Sequence, residues 1–469
     1  MRWDGAGAAR GALVLAATCL AAGCASTGSA PINEPLKQGA TVSLALPTAP
    51  MHENTIILSL SGGGLRAAAF SHGVLLALQS LATPEGDLLD DVAVVSSVSG
   101  SSLTAAYFAL HGRAGLSRFR EEVLAPGFEH DLRLSLTPWN LFHLMGAGLN
   151  SGAGLAQALD HKVFHGATFA DLYAVSNVDV RIHATELYFR MPFPFIPAAF
   201  GTLCSDLSRY PVANAVAASM AVPMVFSPIV LRSYPGRCAP IVETRTAPGG
   251  PRRTSHELAV IASAMKAYRE PPTKYAKLAD GGLIDNFAVN EITLSRLFMG
   301  TPTAPMSERD AVRIHRLLLV AVDASRPSRG EWLESVDGPE GISLAMAGMD
   351  ASIDSAARFA ADAFDRMVED WQRSVIDFRC ALSPERARAL GAPANWDCRA
   401  VSFSVAHLSV NDLPDPLRER IAAIPTRLEL EPAQIDDAIE GGRSGMLALP
   451  ELRAYLERRA TPVTPARSH

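Results

Sequence analysis

Apolar and polar positions follow two periods along this chain. Thr55-Ile-Ile-Leu-Ser-Leu60 is a short apolar run and predicts a buried strand. It runs into Ser61-Gly-Gly-Gly64, and a helical pattern continues from Leu65 through Leu78. The succession then repeats. Val92-Ala-Val-Val-Ser-Ser-Val98 reads as a β-branched strand, Ser99-Gly-Ser-Ser102 as a very tight turn, and Thr104-Ala-Ala-Tyr-Phe-Ala-Leu110 as a helix. Strand, turn and helix twice over predict neighbouring βαβ units in a mostly parallel sheet. Both turns then lie at the carboxyl ends of strands, where such sheets build their sites.

The later pattern extends this layout. Val178–Thr185 alternates and predicts a strand, and Pro211–Met220 a small-residue helix before a turn and strand over Ala221–Pro228. Leu278-Ala-Asp-Gly-Gly-Leu-Ile-Asp-Asn286 ends a strand in a glycine turn, with a helix from Val289. His315–Val322 is a further central strand, followed by helix over Ile342–Trp371, a late strand at Ala400–His407, and helices at Pro414–Ala423 and Ala433–Arg459. Phe119–Leu159, with Pro138, Trp139, Phe142 and the glycine-rich stretch Gly146–Gly154, reads as a helical insertion plus loop. Three prolines keep Met191–Phe200 from forming a regular helix. This apolar stretch is either a loop at a membrane-facing mouth or one folded onto the core.

The N-terminus adds an address. Arg2 and Arg10 precede an apolar run over Gly11–Ala22 that ends in Leu20-Ala-Ala-Gly-Cys24. A basic start and a short apolar run describe a secretory signal. The small residues before Cys24 resemble a bacterial lipobox, with an ordinary signal peptide as the alternative. The expectation is a signal peptide at 1–23, lipidation at Cys24 and a tether over 24–52 rich in Ser, Thr, Gly, Pro and Ala. Ala25 and Ser26, with no aspartate after the cysteine, favour the outer membrane by resemblance to bacterial lipoproteins. A catalytic domain over 53–325 and a mainly helical extension over 326–469, packed on it, complete the layout.

Composition narrows the function. At 469 residues and 48% hydrophobic, the chain can bury a large core. A formal charge of −6 argues against a general nucleic-acid binder. Removing residues 1–23, with two arginines and one aspartate, takes the mature charge to −7. Besides Cys24 the mature chain holds Cys204, Cys238, Cys380 and Cys398, an even number that permits two disulfides in an exported protein. Pairing of neighbours in sequence is the expectation. No Cys/His spacing suggests zinc, and neither a metal nor a cofactor is expected.

Three features carry chemistry. A serine at the tip of the Val92–Leu103 turn, between tiny neighbours, can expose its hydroxyl as a nucleophile. Ser99 is preferred because Gly100 follows it and the strand ends at Val98, although the other serines leave the register open. A hydroxyl needs a base. None of His72, His143, His183 and His407 sits in a turn after a strand. Asp280 does, with Gly281 and Gly282 allowing the sharp bend, and burial beside a serine would raise its pKa into a useful range. The amides of Gly62, Gly63 and Gly64 can converge on an oxyanion. Arg66 either steadies that loop or meets a phosphate. A nucleotide loop is disfavoured, because the Gly-Lys-Ser/Thr ending and the dinucleotide spacing are absent.

In order and spacing, Gly62-Gly-Gly-Leu-Arg66, Ser97-Val-Ser-Gly-Ser101 and Asp280-Gly-Gly282 resemble the motifs of the patatin-like phospholipases. Ala218-Ser-Met-Ala-Val-Pro223 and Ala167-Thr-Phe-Ala-Asp-Leu172 resemble two further segments of that family. The resemblance spans about residues 54–295. It implies a three-layer α/β/α sandwich, a Ser99–Asp280 dyad and a phospholipid, lysophospholipid or other acyl-lipid substrate, with no nucleotide. Serines at 97 and 101 stand where the family has glycines, and Ala67 where it often has glycine. These departures keep a non-catalytic lipid- or protein-binding lipoprotein as the alternative. A histidine-assisted esterase of another fold is the third reading.

Overall fold

The computed structural model describes residues 30–40, 51–132, 151–238, 255–325 and 331–460. The signal segment, Cys24, Pro138, Trp139, Phe142, His143 and Gly146–Asn150 lie outside these residues.

In chain order the strands and principal helices are β1 (Glu34–Pro35), β2 (Asn54–Leu60), α1 (Gly64–Gln79), β3 (Val92–Val98), α2 (Gly100–Phe119), β4 (Asp179–Glu186), β5 (Met191–Pro194), β6 (Ser205–Asp206), α3 (Val212–Ser219), β7 (Ile229–Arg232), β8 (Tyr275–Asp280), α4 (Gly282–Asp285), α5 (Asn290–Met299), β9 (Arg316–Asp323), α6 (Gly341–Cys380), β10 (Ser402–Ser409) and α7 (Pro432–Ala448). The main sheet runs β10-β9-β2-β3-β4-β8-β7, with β5 also paired to β4. The contacts from β10 to β4 are parallel, and β8, β7 and β5 join antiparallel.

Period-two alternation builds three layers. Ile56, Leu58 and Leu60 of β2, with Leu318 and Val320 of β9, face a core shared with Phe70 of α1, Phe108 of α2 and Met446 of α7. Their neighbours Ile57, Leu317 and Leu319 face the opposite core, with Phe364, Val368 and Trp371 of α6. Each large side chain fully buried in this way contributes on the order of 2–3 kcal/mol. The result is a three-layer α/β/α sandwich with a mostly parallel sheet.

The C-terminal region is part of this body. It supplies the edge strand β10, and α7 lies along α1. A Cβ on Gly73 would sit 2.0 Å from the Ile439 carbonyl oxygen, and one on Gly442 1.9 Å from that of Phe70. Only glycine permits this approach, so α7 is clamped onto the helix that begins in the glycine loop. Disulfides join Cys204 to Cys238 and Cys380 to Cys398.

Three local expectations change, and the choice left open for 191–200 is decided. The stretch 191–200 is core: β5 pairs with β4, and Phe193, Phe195 and Phe200 are buried against one another. Pro192 and Pro194 are accommodated on the short hairpin strand, and Pro197 opens a short helix, Pro197–Thr202. The strand expected within Ala221–Pro228 begins only at Ile229, because Val222–Phe226 closes a turn through Val225 N–H and Phe226 N–H to the Val222 carbonyl. The last helix breaks at Leu449, before Pro450 starts a second one. Finally, residues 30–40, expected within a tether, are docked. The Asn33 side chain accepts from Arg232 N–H and donates to the Arg232 carbonyl, and β1 pairs with β6. The backbone edge at the end of β7 needs partners, and this segment supplies them.

Candidate active site

Register brings Ser99 and Asp280 to the same level. Val98 pairs with His183 on one side of β4, and Ala184 pairs with Asp280. The residue after β3 and the last residue of β8 therefore meet across one strand, although 181 positions separate them in sequence.

Ser99 sits in a strained turn at φ 54°, ψ −130°, between β3 and α2. Several contacts hold it there. Ser99 N–H donates to Ser219 Oγ at 2.8 Å, and Ser219 in turn donates to the His183 carbonyl at 2.6 Å. Ser102 Oγ lies 3.0 Å from Ser219 Oγ. Gly100 follows at a position where a Cβ would stand 1.9 Å from the Gly64 carbonyl oxygen, so no other residue fits.

The serines at 97 and 101 fit without crowding, because each hydroxyl turns back to a backbone carbonyl. Ser97 donates to Arg181 O at 3.2 Å and Ser101 to Ser61 O at 2.6 Å. The Ser101 hydroxyl thereby ties the elbow to the glycine loop. Ser97 is paired inside the sheet with Leu60 and Ile182, which leaves Ser99 at the tip.

Ser99 Oγ donates to Asp280 Oδ2 at 2.7 Å, while Asp280 Oδ1 accepts from Gly282 N–H at 2.8 Å. Burial pushes the Asp280 carboxyl up to about 6, against the opposing pull of those two hydrogen bonds. Gly281 is required beside it, since a Cβ there would lie 2.4 Å from the His183 carbonyl oxygen. Five residues on, burial raises Asp285 to about 6 as well, while its carboxylate accepts from Val289 and Asn290 N–H and shapes the entry to α5.

The glycine loop lies against the elbow: a Cβ on Gly62 would stand 3.1 Å from Ser99 Cβ. Its amides are not equivalent. Gly62 N–H donates to Asn286 Oδ1 at 3.2 Å and to the Asn286 carbonyl at 3.3 Å, so of the three expected oxyanion donors it is already engaged. Among the described residues the N–H groups of Gly63 and Gly64 have no hydrogen-bond partner, and they open the first turn of α1.

Arg66 is buried and points to backbone carbonyls. It donates to the carbonyls of Ala324 at 3.0 Å and Ile424 at 2.6 Å, and one of its nitrogens lies 3.1 Å from the Cβ position of Gly63. It steadies the loop and ties it to the C-terminal region.

None of the described histidines touches Ser99. His183 Nε2 bonds Ser96 Oγ at 2.9 Å, and burial pushes its pKa down to about 4. His72 lies buried in α1, and His407 pairs with Asp365. Sequence reasoning missed Ser219 and Asn286 as positioning residues. Ser219 lies in a stretch read as a small-residue helix and noted for resemblance, and its polar side chain at the end of that helix was the only signal. Nothing local marked Asn286. Among the described residues no three His, Cys, Asp or Glu side chains converge on a metal-sized site.

Residues 58–292 match the family described as Patatin-like phospholipase. No curated protein matches the sequence. Among solved structures, human GIVD cytosolic phospholipase A2 is similar at 13% identity and a TM-score of 0.41, over 87% of this chain and 63% of that one. VipD from Legionella pneumophila is similar at 12% identity and a TM-score of 0.31, over 93% of this chain and 72% of that one.

Proposed function

The chain belongs to the patatin-like phospholipase family, and from that premise we propose that it hydrolyses fatty-acyl esters of membrane lipids, as a phospholipase A or lysophospholipase, through a Ser99–Asp280 dyad. The observation that carries the reading is the 2.7 Å hydrogen bond from Ser99 Oγ, at a strained tip, to a buried carboxylate whose pKa is pushed up to about 6.

The chemistry follows from those positions. Ser99 Oγ bonds to the ester carbonyl carbon as its proton passes to Asp280 Oδ2. Charge gathers on the carbonyl oxygen, and the N–H groups of Gly63 and Gly64, at the positive end of α1, stabilise it. The ester C–O bond breaks, and the leaving alkoxide takes the proton from Asp280. Water then gives a proton to Asp280 and attacks the acyl carbon, and Ser99 leaves with that proton as the fatty acid departs. A carboxyl pushed up to about 6 can both take and return a proton near neutral pH.

Labelling with a tagged fluorophosphonate tests the reading. Wild type is expected to label, and Ser99→Ala to lose the label at unchanged fold. A well-folded wild type that stays unlabelled refutes it. A panel of phospholipids and lysophospholipids then gives the acyl position and head group. We also propose that Cys24 is acylated, holding the enzyme at the outer membrane beside its substrate. The basic start, the apolar run and the small residues before Cys24 support this. Release of Cys24→Ser from the membrane fraction is the expected result.

A further inference from the structure

Two strands and a hairpin overshoot the level of the dyad. β8 runs antiparallel to β4, so Tyr275 lies five residues beyond Asp280 in the direction in which β3 and β4 point, about 17 Å past the candidate nucleophile. β7 reaches the same height, with Arg232 paired to Tyr275. The turn between β4 and β5 joins them: Leu187 N–H donates to the Lys277 carbonyl. Directly paired residues share a face, and Ala276 and Leu278 point into the core. Tyr275, Lys277 and Arg232 therefore face solvent together, beside the exposed Leu187, Tyr188 and Arg190.

The chemistry of this end is distinctive. Tyr188 is 80% exposed and Tyr275 48%, on a protein that buries most of its aromatic rings. Among the described residues Arg190, Lys274 and Lys277 form no side-chain ion pair or hydrogen bond, so three cations lack an internal counter-charge. Amphipathic rings interleaved with unpaired cations suit an interface of phosphates over acyl chains. Another group of exposed apolar residues among those described, Trp332, Leu333, Val336 and Leu344, differs in charge. The stretch 331–357 carries Glu331, Glu334, Asp337, Glu340, Asp350 and Asp354 and no Lys or Arg, which an anionic surface would repel.

The N-terminal segment arrives at the same place. Asn33 clasps both backbone groups of Arg232. Nine residues separate it from Cys24, a reach of at most about 32 Å. An acylated Cys24 would thus hold this end close to the bilayer.

We propose that the tip formed by Leu187–Arg190 and the β7–β8 extension is the surface on which the protein meets an anionic phospholipid bilayer, seating the elbow above its substrate. This rests on the reading of the protein as a membrane-lipid hydrolase. The Cys24→Ser chain, which cannot be acylated, isolates the surface. It is expected to cosediment with phosphatidylcholine vesicles containing phosphatidylglycerol, less so as salt rises, and weakly with phosphatidylcholine alone. Each cation near such a surface is worth about fivefold in partitioning, so R190Q/K274Q/K277Q should bind about 100-fold more weakly. Hydrolysis of a water-soluble monomeric ester by that variant should stay at the level of its parent, which shows that fold and dyad are intact. Undiminished vesicle binding by the triple variant, or equal binding to both vesicle types, overturns the proposal. Soluble-ester hydrolysis without vesicle binding overturns it while the enzyme reading stands. Charge-dependent vesicle binding without hydrolysis of any ester leaves the surface in place and sinks the enzyme reading instead.

Discussion

Replacing Asp280 by asparagine is expected to remove activity and at the same time make the protein more stable at neutral pH. Burial moves this carboxyl from 3.8 to about 6, with the Ser99 and Gly282 hydrogen bonds opposing. Because the folded value lies above the unfolded one, the carboxyl favours folding most below the unfolded value. That contribution is lost as pH rises through about 6. At neutral pH the ionised group therefore costs the folded state about 3 kcal/mol, taking about 1.4 kcal/mol for each tenfold. Asparagine has no charge to bury. It does force one of the two hydrogen-bond partners to turn away, at about 1 kcal/mol. The net expectation is a variant about 2 kcal/mol more stable than wild type near neutrality. Urea unfolding of both chains, followed by tryptophan fluorescence, measures the difference, and its pH dependence is the sharper readout. Between about pH 8 and about pH 5 the advantage of the variant should shrink by about 1.4 kcal/mol. Asp285, also raised to about 6, titrates in both chains and cancels. Wild-type kcat/KM should rise as pH passes about 6, since the base must be ionised. The variant should lose about 10²–10⁴-fold in kcat. A pH-independent stability difference, or a variant less stable than wild type near pH 8, would refute the argument that burial sets the Asp280 pKa.

Three further substitutions test the scaffold of the site. Gly100→Ala puts a Cβ 1.9 Å from the Gly64 carbonyl oxygen, so elbow and glycine loop must part. A loss of about 100-fold in fluorophosphonate labelling rate is expected, with about 1–3 kcal/mol of stability. Ser219→Ala leaves the buried Ser99 N–H without its acceptor and should cost about 1–3 kcal/mol. Its steady-state kinetics should show a fall in kcat with little change in KM. Glu291→Gln removes one of the two carboxylates, Glu291 and Asp179, that the buried Arg181 bridges. Burial pushes the Glu291 carboxyl up, but Arg181 more than reverses this, and the carboxyl stays ionised below its ordinary range. A loss of about 3–5 kcal/mol in urea unfolding is expected.

Much of the site was legible because its parts are local. A strand ending in Val98, a serine and a glycine announce a tight turn, and Asp280-Gly-Gly282 announces another. Each needs only the sterics of a few neighbouring residues. The glycine loop was legible as a donor site, yet which of its amides are free was not. Gly62 is engaged by Asn286, 224 positions away, and no local pattern encodes that contact. The same holds for Ser219, whose neighbour Ser99 lies 120 positions earlier.

The stretch 191–200 had two readings that no local pattern could separate. Its prolines keep a helix from running through the whole stretch, yet Pro197 opens a short one over Pro197–Thr202, and the burial of the stretch depended on the space between β4 and the helices around it. The docking of residues 30–40 depended on an unpaired edge at Arg232, which exists only once β7 has formed.

The sequence by itself determined most of the central strands and the turns that end them, because period and turn chemistry act over a few residues. It also determined that a serine and a carboxylate would each end a strand. Only the tertiary structure decided that they meet. Parallel pairing of β3 with β4 and antiparallel pairing of β8 with β4 set Ser99 and Asp280 at one level across a single strand. A slip of one residue in either pairing would turn the side chain to the other face. Burial, which moves Asp280 toward a useful pKa, is likewise a property of everything packed around it.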